Sequence, residues 1–318
     1  MSHVAGSFAI LCGNANRALA TAVADNVGVP LGDAVVERFP DGEVGVEIRD
    51  PVRDKDVFVI QSTAPPVNDH LMELLAIIDA CRRASAARIF AVIPYFGYAR
   101  SDKRHGRREP ISARLVADLL QTAGTDHVIT IDLHASQIEG FFRIPVDSLT
   151  AVSILSDAMK RRLAADTVVV SPDVGRLKMA TDYAQNLNTS VVLLHKTRET
   201  GAEAHVTHLV GDVRGRLCLV VDDMISTGGT ITKAVDKLVE MGARPEVVVA
   251  ATHGVLLGGA RAKLTAPPIS DVFVTDSIEQ HTEGWPRLHV ISVAPFLADA
   301  IRRLASGTVH SELAVHRT

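Results

Sequence analysis

The stretch Leu217-Cys218-Leu219-Val220-Val221-Asp222-Asp223-Met224-Ile225-Ser226-Thr227-Gly228-Gly229-Thr230 decides how this chain is read. The apolar run Leu217 to Val221 predicts a buried strand that stops at two adjacent carboxylates. A small, hydroxyl-rich turn with two glycines follows. From Thr230 to Met241 apolar residues recur at helical spacing, and Gly242 stands just beyond the end. The predicted order is strand, acidic loop, helix. The first N–H groups of such a helix lack intrahelical partners, and its dipole places roughly half a positive charge there. That end is a seat for a phosphate. Gly228 and Gly229 let the backbone approach it closely, and Thr227 and Thr230 add hydroxyl donors. Asp222 and Asp223 are acceptors suited to a vicinal diol, so a sugar phosphate satisfies both halves. The plainer alternative is an acid pair that only ends a strand and a Ser226 or Thr227 that only caps a helix. Strand, acid pair, double glycine and helix together favour a ligand.

Working outward, apolar runs of strand length alternate with helical patterns along the chain. Predicted strands are Val57–Gln61, Ile89–Ile93, Val128–Ile131, Val168–Ser171, Val191–Leu194, Leu217–Val221, Val247–Ala251 and Val272–Thr275. Predicted helices are Asp69–Ala84, Ser112–Ala123, Val152–Leu163, Arg176–Leu187, Thr230–Met241 and Ala294–Leu304. Continuous rather than alternating apolar strands imply sheets covered on both faces, a doubly wound parallel α/β architecture. Ligands in such sheets sit at the carboxyl ends of strands. Pro145–Thr150 divides two runs of βα units and marks the expected domain boundary. Histidines after similar strands, in Ile129–His134 and Val249–His253, hint at duplication.

A chain of 318 residues accommodates two domains, each with its own core. Hydrophobic residues make up 47% and charged residues 22%, a composition of compact soluble proteins. The net charge of -4 argues against a general nucleic-acid binder. No apolar run reaches the roughly 18 residues that span a bilayer, and no signal-peptide pattern opens the chain, so a cytoplasmic location is expected. Cys12, Cys81 and Cys218 are odd in number and flanked by apolar residues, which predicts buried thiols rather than disulfides or a metal cluster.

Two further loops follow strand ends. Pro94 to Pro110 carries Arg100, Lys103, Arg104, Arg107 and Arg108. A solvated basic loop is the ordinary reading, but at a strand's carboxyl end in an acidic protein the cluster suits a polyphosphate. The other loop, Asp132 to Phe142, contains His134.

At this point the sequence resembles a known family. The acidic loop looks like the 5-phosphoribosyl 1-diphosphate (PRPP) motif shared by phosphoribosyltransferases and ribose-phosphate diphosphokinases. Arg38-Phe39-Pro40-Asp41-Gly42-Glu43, Asn68 to Leu75, Tyr98-Ala99-Arg100 and Arg108 to Ala113 come first in the chain. Asp132 to Phe142 with Pro145 and Asp147, Ser171-Pro172-Asp173 and His195-Lys196-Thr197-Arg198 follow, and then the phosphate loop. That order is similar to the PRPP synthetases of the bacterial and animal class, over nearly the whole chain. No Walker A or dinucleotide fingerprint competes.

The resemblance implies two phosphoribosyltransferase-type domains, residues 1–148 on the ATP side and 149–293 on the ribose 5-phosphate side, with a C-terminal helix and tail at 294–318. It implies that Phe39 stacks on adenine and that Asp41, Gly42, Glu43, Arg100, Ser101, Asp102, Lys103 and His134 hold ATP. His134 and Asp173 match Mg²⁺ positions. Lys196 and Arg198 match the catalytic pair, Arg198 also meeting the sugar phosphate. Asp222 and Asp223 would hold the ribose hydroxyls, and Ser226, Thr227, Gly228, Gly229 and Thr230 the 5-phosphate. The implied assembly is a homohexamer built from dimers, with the site completed by a neighbouring subunit. The implied reaction makes PRPP and AMP from ATP and ribose 5-phosphate.

The chain also departs from the pattern. Ser101 replaces a glutamine, Arg143 an aspartate, Ser226 an aspartate, and Gly175-Arg176 a Gly-Gly step, while His310-Ser311-Glu312-Leu313 differs from the usual ending. These departures motivate the alternative of a catalytically weak regulatory subunit. The expected machinery is nonetheless all present.

Overall fold

A computed structural model describes residues 8–104, 106–197 and 205–306. In chain order the elements are β1 (Phe8–Cys12), α1 (Arg17–Val27), β2 (Ala34–Arg38), β3 (Val44–Ile48), β4 (Asp56–Ile60), α2 (Val67–Arg83), β5 (Arg88–Ile93), α3 (Ser112–Ala123), β6 (His127–Ile131) and β7 (Val146–Leu149). There follow α4 (Val152–Met159), β8 (Val168–Ser171), α5 (Leu177–Leu187), β9 (Ser190–Thr197), β10 (His205–Val210), β11 (Cys218–Ile225), α6 (Gly229–Glu240), β12 (Val247–Gly254), α7 (Ala260–Thr265), β13 (Ile269–Thr275), β14 (Leu288–Ile291) and α8 (Ala294–Ala305). Short 3-10 turns lie at Ser136–Phe141 and Val174–Arg176. Two compact units result. One runs to Thr150 and takes in Ser277–Glu279 and the chain from Ser292, and the other holds Ala151–Asp276 and Gln280–Ile291.

The first unit is built on a parallel sheet in the order β1-β4-β5-β6-β7. Its strands are apolar at nearly every position because both faces are covered. Val57, Val59, Ala91 and Val128 share one core cluster with Leu74 and Ile77 of α2 and Leu120 of α3. Ile10, Phe58 and Phe90 are equally buried, with Phe58 stacked on Phe90 at 4.4 Å. Helix α1 packs on β1 and on α8. The hairpin β2–β3 stands apart as an antiparallel pair and packs on α2. Its half-exposed strands lack the continuous apolar run that marks the others.

A buried polar network ties this hairpin to the sheet. Glu73 of α2 is 5% exposed. Its carboxylate accepts from the Asn14 backbone N–H at 3.0 Å, the Asn14 side-chain amide at 3.2 Å and the Gln61 amide at 2.8 Å. Asn14 also donates to the Val36 carbonyl of β2 at 3.1 Å, and Gln61 accepts from the Ala15 N–H at 3.1 Å. A buried carboxylate is tolerable only when its oxygens are satisfied.

The second unit holds a seven-stranded sheet in the order β10-β9-β8-β11-β12-β13-β14. The chain enters it at β8, lays β9 and β10 to one side, then returns to pair β11 against the other edge of β8. Strand order therefore reverses between β8 and β11, and a crevice opens outside the carboxyl ends of these two strands. Every pairing in this sheet is parallel except β9–β10, so the expected doubly wound parallel α/β architecture holds, with an antiparallel edge strand here and the separate β2–β3 hairpin added to it.

Other boundaries shift for local reasons. Helix α4 stops at Met159 rather than Leu163, because Lys160, Arg161 and Arg162 are exposed and offer no apolar face to bury. Strand β11 runs to Ile225, and so contains Asp222 and Asp223 rather than ending before them. Pairing with β12 continues through Asp222 with Ala251, Met224 with His253 and Ile225 with Gly254. His253 thus lies buried inside β12 while His134 lies beyond the end of β6, so the two histidines are not equivalent. The three cysteines are buried and free. Burial pushes the thiols of Cys81 up to about 12 and Cys218 up to about 11.

Replacing Glu73 by Ala leaves the Asn14 and Gln61 donors without their shared acceptor, and should destabilise the protein by about 2 to 4 kcal/mol. Urea unfolding monitored by circular dichroism measures this. A loss under about 0.5 kcal/mol would mean the network is not holding the hairpin to α2.

Candidate functional site

The crevice of the second unit gathers most of the residues expected to meet a sugar phosphate. Asp222 and Asp223 lie side by side on β11, with side chains 13% and 1% exposed. A buried acid pair needs a partner that can reach both carboxylates. Arg176, which follows β8 through the 3-10 turn, supplies one partner for both. Its Nε lies 3.3 Å from Asp222 Oδ1 and 3.1 Å from Asp223 Oδ1, and the arginine side chain is itself 14% exposed. The Asp222 Oδ1 also accepts from the Asp223 backbone N–H at 2.9 Å. Burial first, and the Asp223 carboxylate second, raise the Asp222 carboxyl well above its ordinary value, while Arg176 acts in the opposite sense.

Beyond Ile225 the chain turns through Ser226, Thr227 and Gly228 into α6. Gly228 takes the N-cap position with φ of 74°, a left-handed conformation that glycine adopts without a Cβ penalty. No side chain caps the helix, so neither Ser226 nor Thr227 plays the capping role of the plainer reading. The first-turn N–H groups of α6 lie at the crevice end, in a twelve-residue helix whose dipole favours an anion. Thr227 and Thr230 are exposed at this end. The loop is braced from α7, where Lys263 Nζ donates to the Thr227 carbonyl at 3.1 Å, and from the segment before α7, where Leu257 N donates to the Ser226 carbonyl at 2.9 Å. Arg176 and Lys263 lay outside the set expected from sequence. For Arg176 the available signal was a single cation in the loop one strand over from an acid pair.

The first unit collects the other expected residues at two places. Phe39, Asp41, Gly42 and Glu43 form the exposed turn of the β2–β3 hairpin. Phe39 N donates to the Glu43 carbonyl at 2.8 Å, Gly42 N to the Phe39 carbonyl at 2.9 Å, and Glu43 N to Asp41 Oδ1 at 3.1 Å. The Phe39 ring is 46% exposed and covers Gly45, where a Cβ would come within 3.0 Å of it. An aromatic face held open in this way is a platform for a flat ligand. The second place is a cleft of about 590 Å³ lined by Asn68, Tyr95, Tyr98, Arg100 and Ser101 among others. Tyr98 donates to Asn68 there. Arg100 and Lys103 are exposed, whereas Asp102 is buried and accepts from Gln137. Ser101 turns its hydroxyl to the Ser112 N–H at 3.2 Å, which fastens the basic loop to the start of α3.

His134 stands half-buried in the loop after β6, in the first unit. Asp173 stands half-buried after β8, in the second, its carbonyl accepting from the Ser171 hydroxyl at 2.7 Å. Among the described residues no three His, Cys, Asp or Glu side chains form a metal cluster. Lys196 is the next-to-last residue of β9. Arg198, His105 and the tail at 310–313 lie outside the described residues.

Two units of parallel α/β architecture, one with an acid pair and a helix N-terminus at a switch point, make an arrangement whose chemistry suits a phosphorylated, hydroxyl-rich ligand. The chain belongs to the ribose-phosphate pyrophosphokinase family. Residues 8–124 match the N-terminal domain of ribose phosphate pyrophosphokinase, and residues 198–314 the phosphoribosyl synthetase-associated domain. It is 47% identical over 309 residues to the ribose-phosphate pyrophosphokinase of Bradyrhizobium diazoefficiens, covering 96% of this chain and 97% of that one. The enzyme of that name from Clostridium tetani is 46% identical over 308 residues, 96% of each chain. A crystal structure of phosphoribosylpyrophosphate synthetase from Mycobacterium smegmatis matches with a TM-score of 0.89 at 43% identity, covering 95% of this chain and 100% of that one.

The raised Asp222 carboxyl makes stability depend on pH. A carboxyl whose folded-state pKa lies above its unfolded value contributes fully below the unfolded value, and the contribution is lost as pH rises through the folded value. Asp222→Asn should therefore leave stability unchanged at pH 3 to 4 and raise it progressively above about pH 4, by about 0.5 to 2 kcal/mol. Urea unfolding across pH measures the difference. A gain independent of pH would contradict the assignment.

Proposed function

We propose that this protein is an active ribose-phosphate diphosphokinase. The C1 hydroxyl of ribose 5-phosphate attacks the β-phosphorus of ATP, the bond from that phosphorus to the oxygen bridging to the α-phosphorus breaks, and AMP leaves with that oxygen. The hydroxyl proton is released and PRPP is formed. The observation that carries this reading is the acid pair beside a glycine-entered helix N-terminus at the β8–β11 switch point, in a chain whose near relatives bear the name of this enzyme.

Each side chain has work that suits its chemistry. Asp222 and Asp223 accept hydrogen bonds from the ribose hydroxyls, and the loop Ser226 to Thr230 takes the 5-phosphate on backbone N–H groups and threonine hydroxyls. Phe39 stacks on the adenine. Asp41, Gly42 and Glu43 in the same turn, with Arg100, Ser101 and Lys103 of the basic loop, hold the rest of the nucleotide, while Asp102 and Gln137 brace that loop from inside. Phosphoryl transfer asks mostly for alignment and charge neutralisation, the latter assigned to Lys196 and Arg198.

Mg²⁺ is held in general through one or two protein ligands besides phosphate oxygens and water. Asp173 would supply a carboxylate and His134 a less common nitrogen contact. The ion would neutralise phosphate charge. A homo-oligomer, with a hexamer as the expected size, is the assembly that the resemblance implies. No described helix is long and apolar enough to cross a membrane.

The direct test is incubation of the purified protein with ATP, Mg²⁺ and ribose 5-phosphate, followed by detection of AMP and PRPP in equal amounts. Lys196→Ala with Arg198→Ala should then lower kcat by about 10³ to 10⁵ while ATP binding weakens far less. Protein that makes no PRPP yet alters the activity of a second synthetase chain would restore the regulatory-subunit reading.

A further inference from the structure

Arg176 stands in the turn between β8 and α5, and its side chain, 14% exposed, is directed at the acid pair of β11 rather than at solvent. Two carboxylates on consecutive residues, one of them 1% exposed, repel one another strongly where the surroundings are poor in water. A guanidinium placed 3.1 and 3.3 Å from one oxygen of each relieves that repulsion and ties the two side chains to a common point. The arginine is anchored in turn. Its backbone N–H donates to the Asp173 carbonyl at 3.2 Å, and it occupies the N-cap position of α5, so the side chain leaves from a stiff segment.

We propose that Arg176 is a positioning residue for the sugar: it holds Asp222 and Asp223 as one oriented acceptor pair for the vicinal hydroxyls of ribose 5-phosphate. The inference rests on the function proposed above and deepens it, because it assigns the alignment of the acid pair to a side chain of the β8 turn that lies outside the expected site residues. Arg176 acts through the two aspartates. Its loss is therefore felt where the diol is bound and not where ATP is bound.

The position allows a clean test. Its φ of -103° is open to any residue, so Arg176→Ala and Arg176→Lys impose no backbone strain. Steady-state kinetics with ATP and ribose 5-phosphate varied separately should give Arg176→Ala a KM for ribose 5-phosphate raised about 10- to 100-fold. Its KM for ATP and its kcat at saturating sugar should stay within about threefold of wild type. Arg176→Lys returns the charge without the planar fork, and should recover part of the sugar KM. Calorimetric titration with ribose 5-phosphate alone should rank the three proteins in the same order.

An active wild type whose Arg176→Ala variant keeps its sugar KM would overturn the proposal and leave the enzyme reading intact. Tighter sugar binding in that variant would also overturn it, by showing that the guanidinium competes for the acceptors. Equal losses for sugar, ATP and kcat would reduce Arg176 to a general structural role. A wild type that neither binds ribose 5-phosphate nor makes PRPP would remove the enzyme reading and the proposal together.

Discussion

Strand β11 carries two adjacent carboxylates into the interior because its pairing with β12 does not stop at the last apolar residue. Burying charge in this way costs several kcal/mol per group unless partners repay it, and the rest of the second unit is arranged around that constraint. The return of the chain from β10 to the far side of β8 places the β8 end beside the β11 end. That adjacency is what lets a residue of the β8 turn, Arg176, reach both aspartates. In a sheet laid down in simple sequence order the same side chains would stand at strand ends with no crevice between them.

The first unit faces a different problem. Its sheet is laid in sequence order, and its reactive-looking residues sit on an exposed hairpin turn and on a loop rather than in a crevice at a reversal of strand order. Rigidity must then come from polar anchors. Glu73, Asn14 and Gln61 tie the hairpin to the sheet, and Ser101 and Asp102 tie the basic loop to α3 and to the 3-10 turn after β6. Asp102 illustrates the division of labour. A carboxylate in a basic loop has its polar demand met inward by Gln137, which leaves the neighbouring cations exposed.

The central strands were legible because a strand covered on both faces must be apolar throughout, and Val168–Ser171 was placed to the residue. The hairpin β2–β3 was not, because Ala34–Arg38 and Val44–Ile48 are half-exposed and lack that signature. Strand β10 escaped for a related reason: an antiparallel edge strand has only one partner, and nothing forces its sequence to be uniformly apolar. The turn from β11 into α6 was legible because glycine and hydroxyl residues at a strand-to-helix junction have a direct backbone meaning. Asp222 and Asp223 were recognised as a pair, yet placed in a loop, since hydropathy ends a strand at the first charge whereas hydrogen bonding to a longer neighbour extends it. Arg176 was read as a departure and not as part of the site. Its role depends on which strand lies beside β8, and sheet order is a non-local property that one sequence does not display.

The acid pair also explains a tension between stability and binding. The charge that makes Asp222 a strong acceptor is the charge that burial and Asp223 oppose, so the feature that suits the site to a diol weakens the folded state. Arg176 moderates this opposition from the β8 turn, while the N-terminus of α6 lies at the other end of the loop that follows β11. Acceptors for hydroxyls and donors for phosphate are thus kept on separate elements, β11 and α6, joined by only three residues. A ligand that carries both groups at sugar-phosphate spacing meets both sets at once, whereas a free phosphate or a free diol meets only one. On the proposed function, selectivity for a phosphorylated sugar would follow from this separation, because each half contributes too little alone to offset the cost of association.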